Sequence, residues 1–189
     1  MPKLNACALA CIAAAFLTGI VHGAVELAHP ILQHRAAFTS ADALQLWGNA
    51  LSAILKSAGF LAGLWAMYAY GTKRGIVVRI FWILAVLGGI VFSGIWVYIA
   101  ATWKFTILYV LGGAWYQMIA PVAFGIAGLV SRRMPAVIGI TGIVVGLVNS
   151  QIFALLGPAH ALIVQGIVWM ILGATLFMFR SSAPLQNPP

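Results

Sequence analysis

Six long apolar runs, each near the length that crosses a lipid bilayer, constrain this chain more than any other feature. They cover residues 5–27, 42–70, 77–102, 105–130, 135–156 and 159–179. A transmembrane helix needs about 20 apolar residues, because the hydrocarbon core is about 30 Å thick and each helical residue rises about 1.5 Å. The runs lack the period-two alternation of membrane barrel strands and are longer than one such strand. The pattern therefore predicts an all-α bundle of six transmembrane helices.

The composition supports the same class. Hydrophobic residues make up 63% of the 189 residues, whereas charged residues make up 6%. A water-soluble domain of this length could not bury so much apolar surface, so the lipid bilayer is the expected surroundings. We expect a single domain over residues 1–180. Residues 181–189 are rich in proline and predict a flexible tail.

Basic residues cluster on one side of the predicted bundle. Seven lie on the side of the N-terminus, and they are Lys3, Lys73, Arg74, Arg79, Arg132, Arg133 and Arg180. Only Arg35 and Lys104 lie on the opposite side. Because positively charged loops stay in the cytoplasm, both termini are predicted to be cytoplasmic, as in a bacterial inner-membrane protein. This topology explains why the chain carries a net charge of +8, so the charge is no reason to expect a nucleic-acid partner.

One face of the second predicted helix is polar, although the rest of that helix is apolar. Its residues recur at alternating spacings of 3 and 4, and they are Asp42, Gln45, Asn49, Ser52, Lys56, Gly59 and Gly63. Such spacings place the side chains on one side of an α-helix. Polar groups in a membrane helix turn toward protein or water, so this face predicts a polar seam inside the bundle.

Other helices carry polar side chains at a similar height. Counted from the cytoplasmic ends, these residues lie at about 21–26 Å in a core about 30 Å thick, and they are His22, Lys56, Ser93 and Asn149. Gln165 falls at a similar level, and Gln117 is nearer the middle. The cytoplasmic half has few hydrogen-bonding side chains. We therefore expect a polar pocket that is open to the outside and sealed toward the cytoplasm.

Lys56 is the first candidate for function, because an ammonium group inside the hydrocarbon costs a few kcal/mol. Glu26 is its expected partner, since opposite charges at the external end of the first hairpin would favour each other. The candidate ligand-binding residues are Lys56, His22, Glu26, Asn49, Ser52, Asn149 and Gln165. The alternative is structural: Asn, Gln and Ser often only join neighbouring helices, and Lys56 could form an ion pair without binding anything.

A second set of residues suggests a cofactor. His22, Glu26 and His29 stand at i, i+4 and i+7, and so share one helix face. With His160 they predict a single transition-metal site. Alternatively, His22 and His160 would ligate one b-type haem near the external surface. No histidine lies on the cytoplasmic side to hold a second cofactor.

Small residues and helix breakers predict how the helices pack. Gly59 and Gly63 lie on the polar face of the second helix, and the fifth helix carries a similar series, Gly139, Gly142 and Gly146. Glycines at such spacings let helices approach closely, so we expect the second and fifth helices to touch. Asp42 is expected at a helix start, and Pro121 is expected to kink the fourth helix.

Two functional hypotheses follow. Phosphate-binding loops, nucleophile elbows, paired catalytic acids and Cys-x-x-Cys motifs are absent from the sequence, so we expect no enzyme chemistry of the soluble type. The first hypothesis is a small-solute transporter or ligand-binding membrane protein for a polar or anionic solute. The second is a non-enzymatic or redox subunit whose seam holds a metal or haem, or docks a helix of another membrane subunit.

Overall fold

The structure, a computed structural model, describes residues 2–30, 38–71, 75–104, 106, 108–132 and 134–179. These residues form six helices, which we number α1 (residues 2–28), α2 (Ala43–Gly71), α3 (Ile76–Thr102), α4 (residues 108–130), α5 (Ala136–Leu155) and α6 (Pro158–Phe179). No strand occurs in these ranges, which confirms the all-α class. Outside the described residues lie the predicted tail, 181–189, and half of the basic residues, namely Arg35, Lys73, Arg74, Arg133 and Arg180.

Five helical stretches are long and apolar enough to cross a membrane. They are Leu4–Ala28, Ser40–Ala69, Ile76–Thr102, Leu111–Val130 and Pro158–Phe179. In α5 the described apolar stretch is shorter, Ala136–Asn149. Each of the six predicted apolar runs coincides with one helix. Large aliphatic side chains cover the outside of the bundle, as with Leu44 at 87% and Val130 at 79% exposure, which suits contact with lipid.

The helices form a ring in chain order. α1 packs against α2 and α6, α3 packs against α2 and α4, and α5 packs against α4 and α6. Short connections make consecutive helices antiparallel, so α2, α4 and α6 run in the same direction. These three also meet one another on the inner side, since α2 contacts both α4 and α6. The centre of the bundle is therefore built from three parallel helices.

Glycine pairs allow the closest helix contacts. Gly19 of α1 faces Gly166 of α6, where a Cβ added to Gly166 would lie 2.8 Å from the Gly19 Cα. Gly88 of α3 faces Gly112 of α4, where a Cβ on Gly112 would lie 2.9 Å from the Gly88 carbonyl oxygen. No larger residue fits such contacts without moving a backbone, so these pairs set the spacing of α1 from α6 and of α3 from α4.

The glycines of α2 and α5 do not face each other, but the two helices do touch at one of them. A Cβ on Gly59 would overlap the Ala14 side chain of α1, and one on Gly63 would lie 2.8 Å from Cys11 Sγ. In α5, Gly139 lies against the Gly125 carbonyl of α4, whereas a Cβ on Gly142 would overlap the Met67 side chain of α2. The expected approach of α2 and α5 therefore occurs at Gly142, while the glycines of α2 serve the contact with α1.

Two π-helical segments interrupt the α-helical pattern. Phe16–Val21 lies in the middle of α1, and Ala114–Ile119 lies in α4, just before Pro121. Proline has no N–H group, so it cannot bond the carbonyl four residues earlier. The backbone here bonds over a longer interval, since the Ala120 N–H donates to the Trp115 carbonyl. The irregularity predicted at Pro121 takes the form of a π turn, a feature that often lies beside functional sites.

Thr39 and Asp42 form a capping box at the start of α2. The Thr39 N–H donates to Asp42 Oδ2 at 2.8 Å, and the Asp42 N–H donates to the Thr39 carbonyl at 3.0 Å. Asp42 belongs to the 3-10 turn Ser40–Asp42 that leads into α2. The prediction that Asp42 stabilises a helix start is confirmed, with Thr39 as the N-cap residue.

Candidate functional site

Gln165 of α6 holds a buried group of polar side chains together. Its Oε1 accepts a hydrogen bond from Lys56 Nζ at 2.5 Å, and its Nε2 donates to Gln117 Oε1 at 2.6 Å and to Asn149 Oδ1 at 2.8 Å. None of the four residues is more than 4% exposed. We call Lys56, Gln117, Asn149 and Gln165 the central cluster. It joins α2, α4, α5 and α6; the contact of Lys56, Asn149 and Gln165 agrees with the depth argument, whereas Gln117 was expected nearer the middle.

The central cluster continues toward α3 through three hydroxyl groups. Gln117 Nε2 donates to the Tyr116 hydroxyl, which also accepts from Ser57 Oγ at 3.3 Å. Ser93 Oγ of α3 lies 2.9 Å from Ser57 Oγ. Five helices thus contribute to one hydrogen-bonded network.

Sequence reasoning missed Ser57 and Tyr116 as members of this network. Ser57 lies off the polar face of α2, and the spacing and depth arguments did not include Tyr116. A buried tyrosine hydroxyl usually forms a hydrogen bond, and this tendency could have identified Tyr116 from the sequence.

The ammonium group of Lys56 is held by a neutral partner. Within the described residues, its hydrogen-bond acceptor is the Gln165 amide, and its Nζ also lies 5.6 Å from the centroid of the Phe92 ring. An amide oxygen and a ring face offer partial negative charge only. A buried charge is normally paired with an opposite charge, so this arrangement leaves the lysine able to accept an anion.

Glu26 is not the partner of Lys56, and that prediction is wrong. Gln45 Nε2 donates to Glu26 Oε2 at 3.4 Å and to the His29 carbonyl at 2.7 Å. Gln45 and Lys56 are eleven residues apart on one helix, which is about 16 Å along its axis. Glu26 therefore lies near the start of α2, well removed from the lysine along the helix axis.

An aromatic pair closes the site on one side. Phe60 and Trp169 stack with ring centroids 4.0 Å apart and planes inclined by 7°, and both are fully buried. Each lies four residues, or one helical turn, after Lys56 and Gln165 respectively. Below them, the described threonines Thr141 and Thr175 bond the backbone of their own helices. Stacked rings therefore lie between the central cluster and the end of the bundle that holds Arg79 and Arg132.

A polar column leads from the central cluster toward the opposite end. His22 Nδ1 lies 3.0 Å from Ser52 Oγ, and Asn49 lies one turn above Ser52 on the same face of α2. Asn49 is 3% exposed and Glu26 is 1% exposed. The expected pocket is therefore closed from above in this structure, because α1 and α6 pack over the polar face of α2.

The predicted metal site is not formed. Of the residues that the structure describes, no three His, Cys, Asp or Glu side chains lie close enough together to hold a metal ion. His22 faces Ser52, whereas His29 and His160 are exposed near the end of the bundle opposite Arg79 and Arg132. The set His22, Glu26, His29 and His160 does not converge on one point.

The predicted haem site is closed by helix packing. Gly23 follows His22, and a Cβ on Gly23 would lie 2.5 Å from Ile163 Cγ1 and 3.0 Å from the Ala159 carbonyl oxygen. His160 follows Ala159 on the same helix, α6. Because α1 and α6 touch between the two histidines, no slot for a porphyrin remains between His22 and His160.

The polar seam is also covered by the chain's own helices. Gly59 and Gly63 pack against α1, and the polar residues above them face α1 and α6. A partner helix therefore has no access to the seam predicted to dock it. A groove of about 670 Å³ between α3, α4 and α5 is lined by apolar side chains and lies away from the central cluster.

Comparisons with known proteins found no relative of this chain. The chain was compared with protein-family models, with curated proteins and with solved structures, and none of them matched.

Proposed function

We propose that this chain is a six-span inner-membrane protein, with both termini in the cytoplasm, that binds and carries a small polar or anionic solute at the central cluster. One observation supports this most strongly: the buried Lys56 Nζ has, within the described residues, a neutral amide as its hydrogen-bond acceptor. Ionisable residues inside membrane helices are expensive and are retained mainly along substrate or ion pathways.

The chemistry of the central cluster suits a solute with oxygen or halide acceptors. Lys56 uses one of its three N–H groups on Gln165, and the amides of Gln117 and Asn149 can rotate to donate or accept. An anion would supply the opposite charge that the lysine lacks. The cluster can therefore exchange an internal hydrogen bond for one to a solute.

The two ends of the pathway differ. On the proposed external side, polar side chains continue from Lys56 through Ser52 and Asn49 toward Gln45. On the cytoplasmic side, the stacked rings of Phe60 and Trp169 block the way. The structure corresponds to an occluded state in this proposal, and transport needs these rings and the upper helix contacts to separate in turn.

Flux through reconstituted liposomes tests the proposal. Liposomes are suspended in an isotonic potassium salt of a small anion, valinomycin carries potassium inward, and light scattering reports the swelling that follows entry of the salt; glycerol and urea serve as neutral solutes. Lys56→Met should reduce the rate of at least one solute to that of empty liposomes, because the ammonium group is lost. Lys104→Met is the matched control, since Lys104 is exposed in the α3–α4 connection and should leave flux unchanged.

Two outcomes would contradict this function. Equal flux in the Lys56→Met and wild-type proteins would remove the proposed role of the lysine. Wild-type flux no faster than in empty liposomes, for every anion and neutral solute, would remove transport itself. Thermal unfolding of each variant in detergent verifies that lost flux does not reflect lost structure.

A further inference from the structure

An apolar groove follows α4 from the middle of the bundle to the end that carries Arg132. It lies between α3 and α5, and we call it the α4 groove. Its lining includes Val78, Phe81, Met118, Val122, Ile126 and Val130. Met118 and Val130 are twelve residues apart on one helix, so the groove is about 18 Å long, close to half of a hydrocarbon core about 30 Å thick. The α4 groove therefore extends through about one leaflet of a bilayer.

The α4 groove exists because α4 changes neighbours along its length. Its first half packs on α3 where Gly112 meets Gly88, and its second half packs on α5 where Gly125 meets Gly139. The π-helical segment Ala114–Ile119 lies between these two contacts. Beyond that segment α3 contacts α4 less closely, and the space left between α3 and α5 is the groove. The groove is thus built by the packing of three helices.

The dimensions of the α4 groove suit a hydrocarbon chain better than another helix. Spread over about 18 Å, its volume of about 670 Å³ gives a mean width of about 7 Å. An α-helix with its side chains is about 10–12 Å across, so it could only lie over the opening. Exposed aliphatic side chains, among them Ile126 and Val130, line the groove. An acyl chain of a lipid would fill the space and cover these side chains.

Positive charge without an acidic counterpart lies at one end of the α4 groove. Arg132 is exposed and follows Val130 by two residues, which places its Cα within about 8 Å of the Val130 Cα. The chain has only two acidic side chains, and both Glu26 and Asp42 lie near the start of α2, at the opposite end of the bundle. The dipoles of α3, which begins here, and of α4, which ends here, oppose each other. Arg132 therefore needs an anion from outside the chain as its partner.

The backbone of Arg132 adds a second observation. Its φ of 52° lies in the left-handed region, and its N–H donates to the Leu129 carbonyl at 3.2 Å. Glycine is the usual residue at such a helix end, because a side chain in this conformation costs about 1–2 kcal/mol. Unfavourable backbone conformations are concentrated at functional sites. The chain thus places a guanidinium group where the backbone alone favours glycine.

We propose that the α4 groove binds one phospholipid with an anionic headgroup, whose acyl chain lies along α4 and whose phosphate contacts Arg132. A phospholipid combines the two chemistries that the site offers, hydrocarbon for the groove and negative charge for the arginine. The guanidinium group can donate two parallel hydrogen bonds to phosphate oxygens. This site goes beyond the transport proposal, since its lining includes no member of the central cluster.

Native mass spectrometry of the delipidated full chain in detergent tests the site. The chain is titrated with dioleoyl phosphatidylglycerol or with dioleoyl phosphatidylcholine, which share their acyl chains and differ in headgroup charge. We expect one molecule of phosphatidylglycerol to bind with a Kd about fivefold lower than that of phosphatidylcholine, because one basic residue near an anionic headgroup contributes about 1 kcal/mol.

Two arginine substitutions separate a specific site from general attraction. Arg132→Gln should remove the preference for phosphatidylglycerol. Arg79→Gln is the matched control, because Arg79 is exposed at the same end of the bundle but is rotated away from Val78 and Phe81 on α3. It should leave the preference unchanged. Arg132→Gly should also remove the preference without lowering Tm in lipid-free detergent, because glycine adopts the left-handed conformation without strain.

A substitution that fills the α4 groove tests the position of the acyl chain. Ala127 lines the groove, so Ala127→Phe should weaken the binding of both lipids. Ala58→Phe is the control, since Ala58 is an exposed residue of α2 outside the groove, and it should leave both affinities unchanged. Thermal unfolding of each variant verifies that the fold is retained.

Several results would overturn this lipid site. Equal binding of the two lipids by the wild type would contradict an anionic site. Equal losses in Arg132→Gln and Arg79→Gln would indicate a general attraction of the basic end for anionic lipid. Unchanged binding in Ala127→Phe would place the lipid elsewhere. A dimer in the lipid-free spectra that Ala127→Phe abolishes would assign the groove to a second copy of the chain.

Discussion

Lys56 and Gln165 are 109 positions apart in the chain, and their side chains meet at 2.5 Å in the middle of the bundle. One turn further along the same two helices, Phe60 and Trp169 stack face to face. The polar contact and the aromatic contact therefore fix the same register of α2 against α6. A shift of α2 against α6 at the Lys56–Gln165 contact would also shift Phe60 against Trp169, because both pairs lie on the same two helices.

The first prediction concerns the hydrogen bonds of Gln165. Gln165→Leu removes the acceptor of the lysine and the donor to Gln117 and Asn149. We expect Tm in detergent to fall by about 5 °C, because a buried charged group loses its partner. In the double variant Lys56→Met with Gln165→Leu, part of this loss should be recovered. Additive losses in this double-mutant cycle would mean that the two side chains are not coupled.

A conservative change at the same position provides the control. Gln165→Glu places a carboxylate beside the Lys56 ammonium group, which would then have an opposite charge as its partner. We expect Tm at least equal to that of the wild type. Reduced flux is also expected, since the carboxylate would compete with an anionic solute. A Tm loss as large as that of Gln165→Leu would contradict the proposed state of the lysine.

The second prediction concerns the contact of α1 with α6. Gly166→Ala should lower stability by about 1–3 kcal/mol, because the new Cβ would lie 2.8 Å from both the Ala15 carbonyl oxygen and the Gly19 Cα. Gly94→Ala is the matched control, since nothing lies within 4 Å of a Cβ at that position. Alanine favours helix over glycine, so this control should be neutral or slightly stabilising. Equal effects of the two variants would contradict the close contact.

The third prediction concerns the start of α2. Thr39→Ala removes the N-cap side chain and should reduce stability by about 1 kcal/mol, and Asp42→Ala should act similarly by removing the acceptor of the Thr39 N–H. The combined variant should cost less than the sum, because the two side chains form one capping box. Chemical or thermal unfolding measures each value. Strict additivity would indicate that the box does not act as a unit.

The fourth prediction concerns orientation. In a background with Cys7→Ala and Cys11→Ala, Lys104→Cys should react with a membrane-impermeant maleimide on intact bacteria, and Arg132→Cys should react only after the membrane is permeabilised. Both positions are exposed. The reason is the excess of basic residues on the side of Arg132. The reverse labelling pattern would invert the proposed topology.

Much of the site could be read from spacing and depth. Lys56, Asn149 and Gln165 were placed at one height by counting residues from the helix ends, and the structure brings them into contact. This worked because a helix rises by a constant amount per residue. Counting also placed His22 at a similar height, and the structure has it in contact with Ser52, one turn from Lys56 on α2.

The partners of these residues could not be predicted in the same way. Glu26 was matched with Lys56 on charge alone, but the vertical offset between them decided against that pair. The glycines of α2 and α5 were expected to bring those helices together, but Gly59 and Gly63 face α1, and of the α5 series Gly142 meets α2 through Met67. The height of a residue in the bundle depends on its own helix alone. Its side-chain contacts depend on which helices are neighbours and on how each helix is rotated about its axis.

The sequence by itself determined the all-helical class, the positions of the helices and the polar face of α2, because hydrophobicity and helical periodicity are local properties of the chain. Only the tertiary structure decided that Gln165 would hold Lys56 and that Phe60 and Trp169 would stack one turn further along the same two helices. Those outcomes depend on the azimuthal rotation of six helices about their axes. That rotation is set by close packing between residues far apart in the chain, such as Gly19 and Gly166, and a linear pattern contains no record of it.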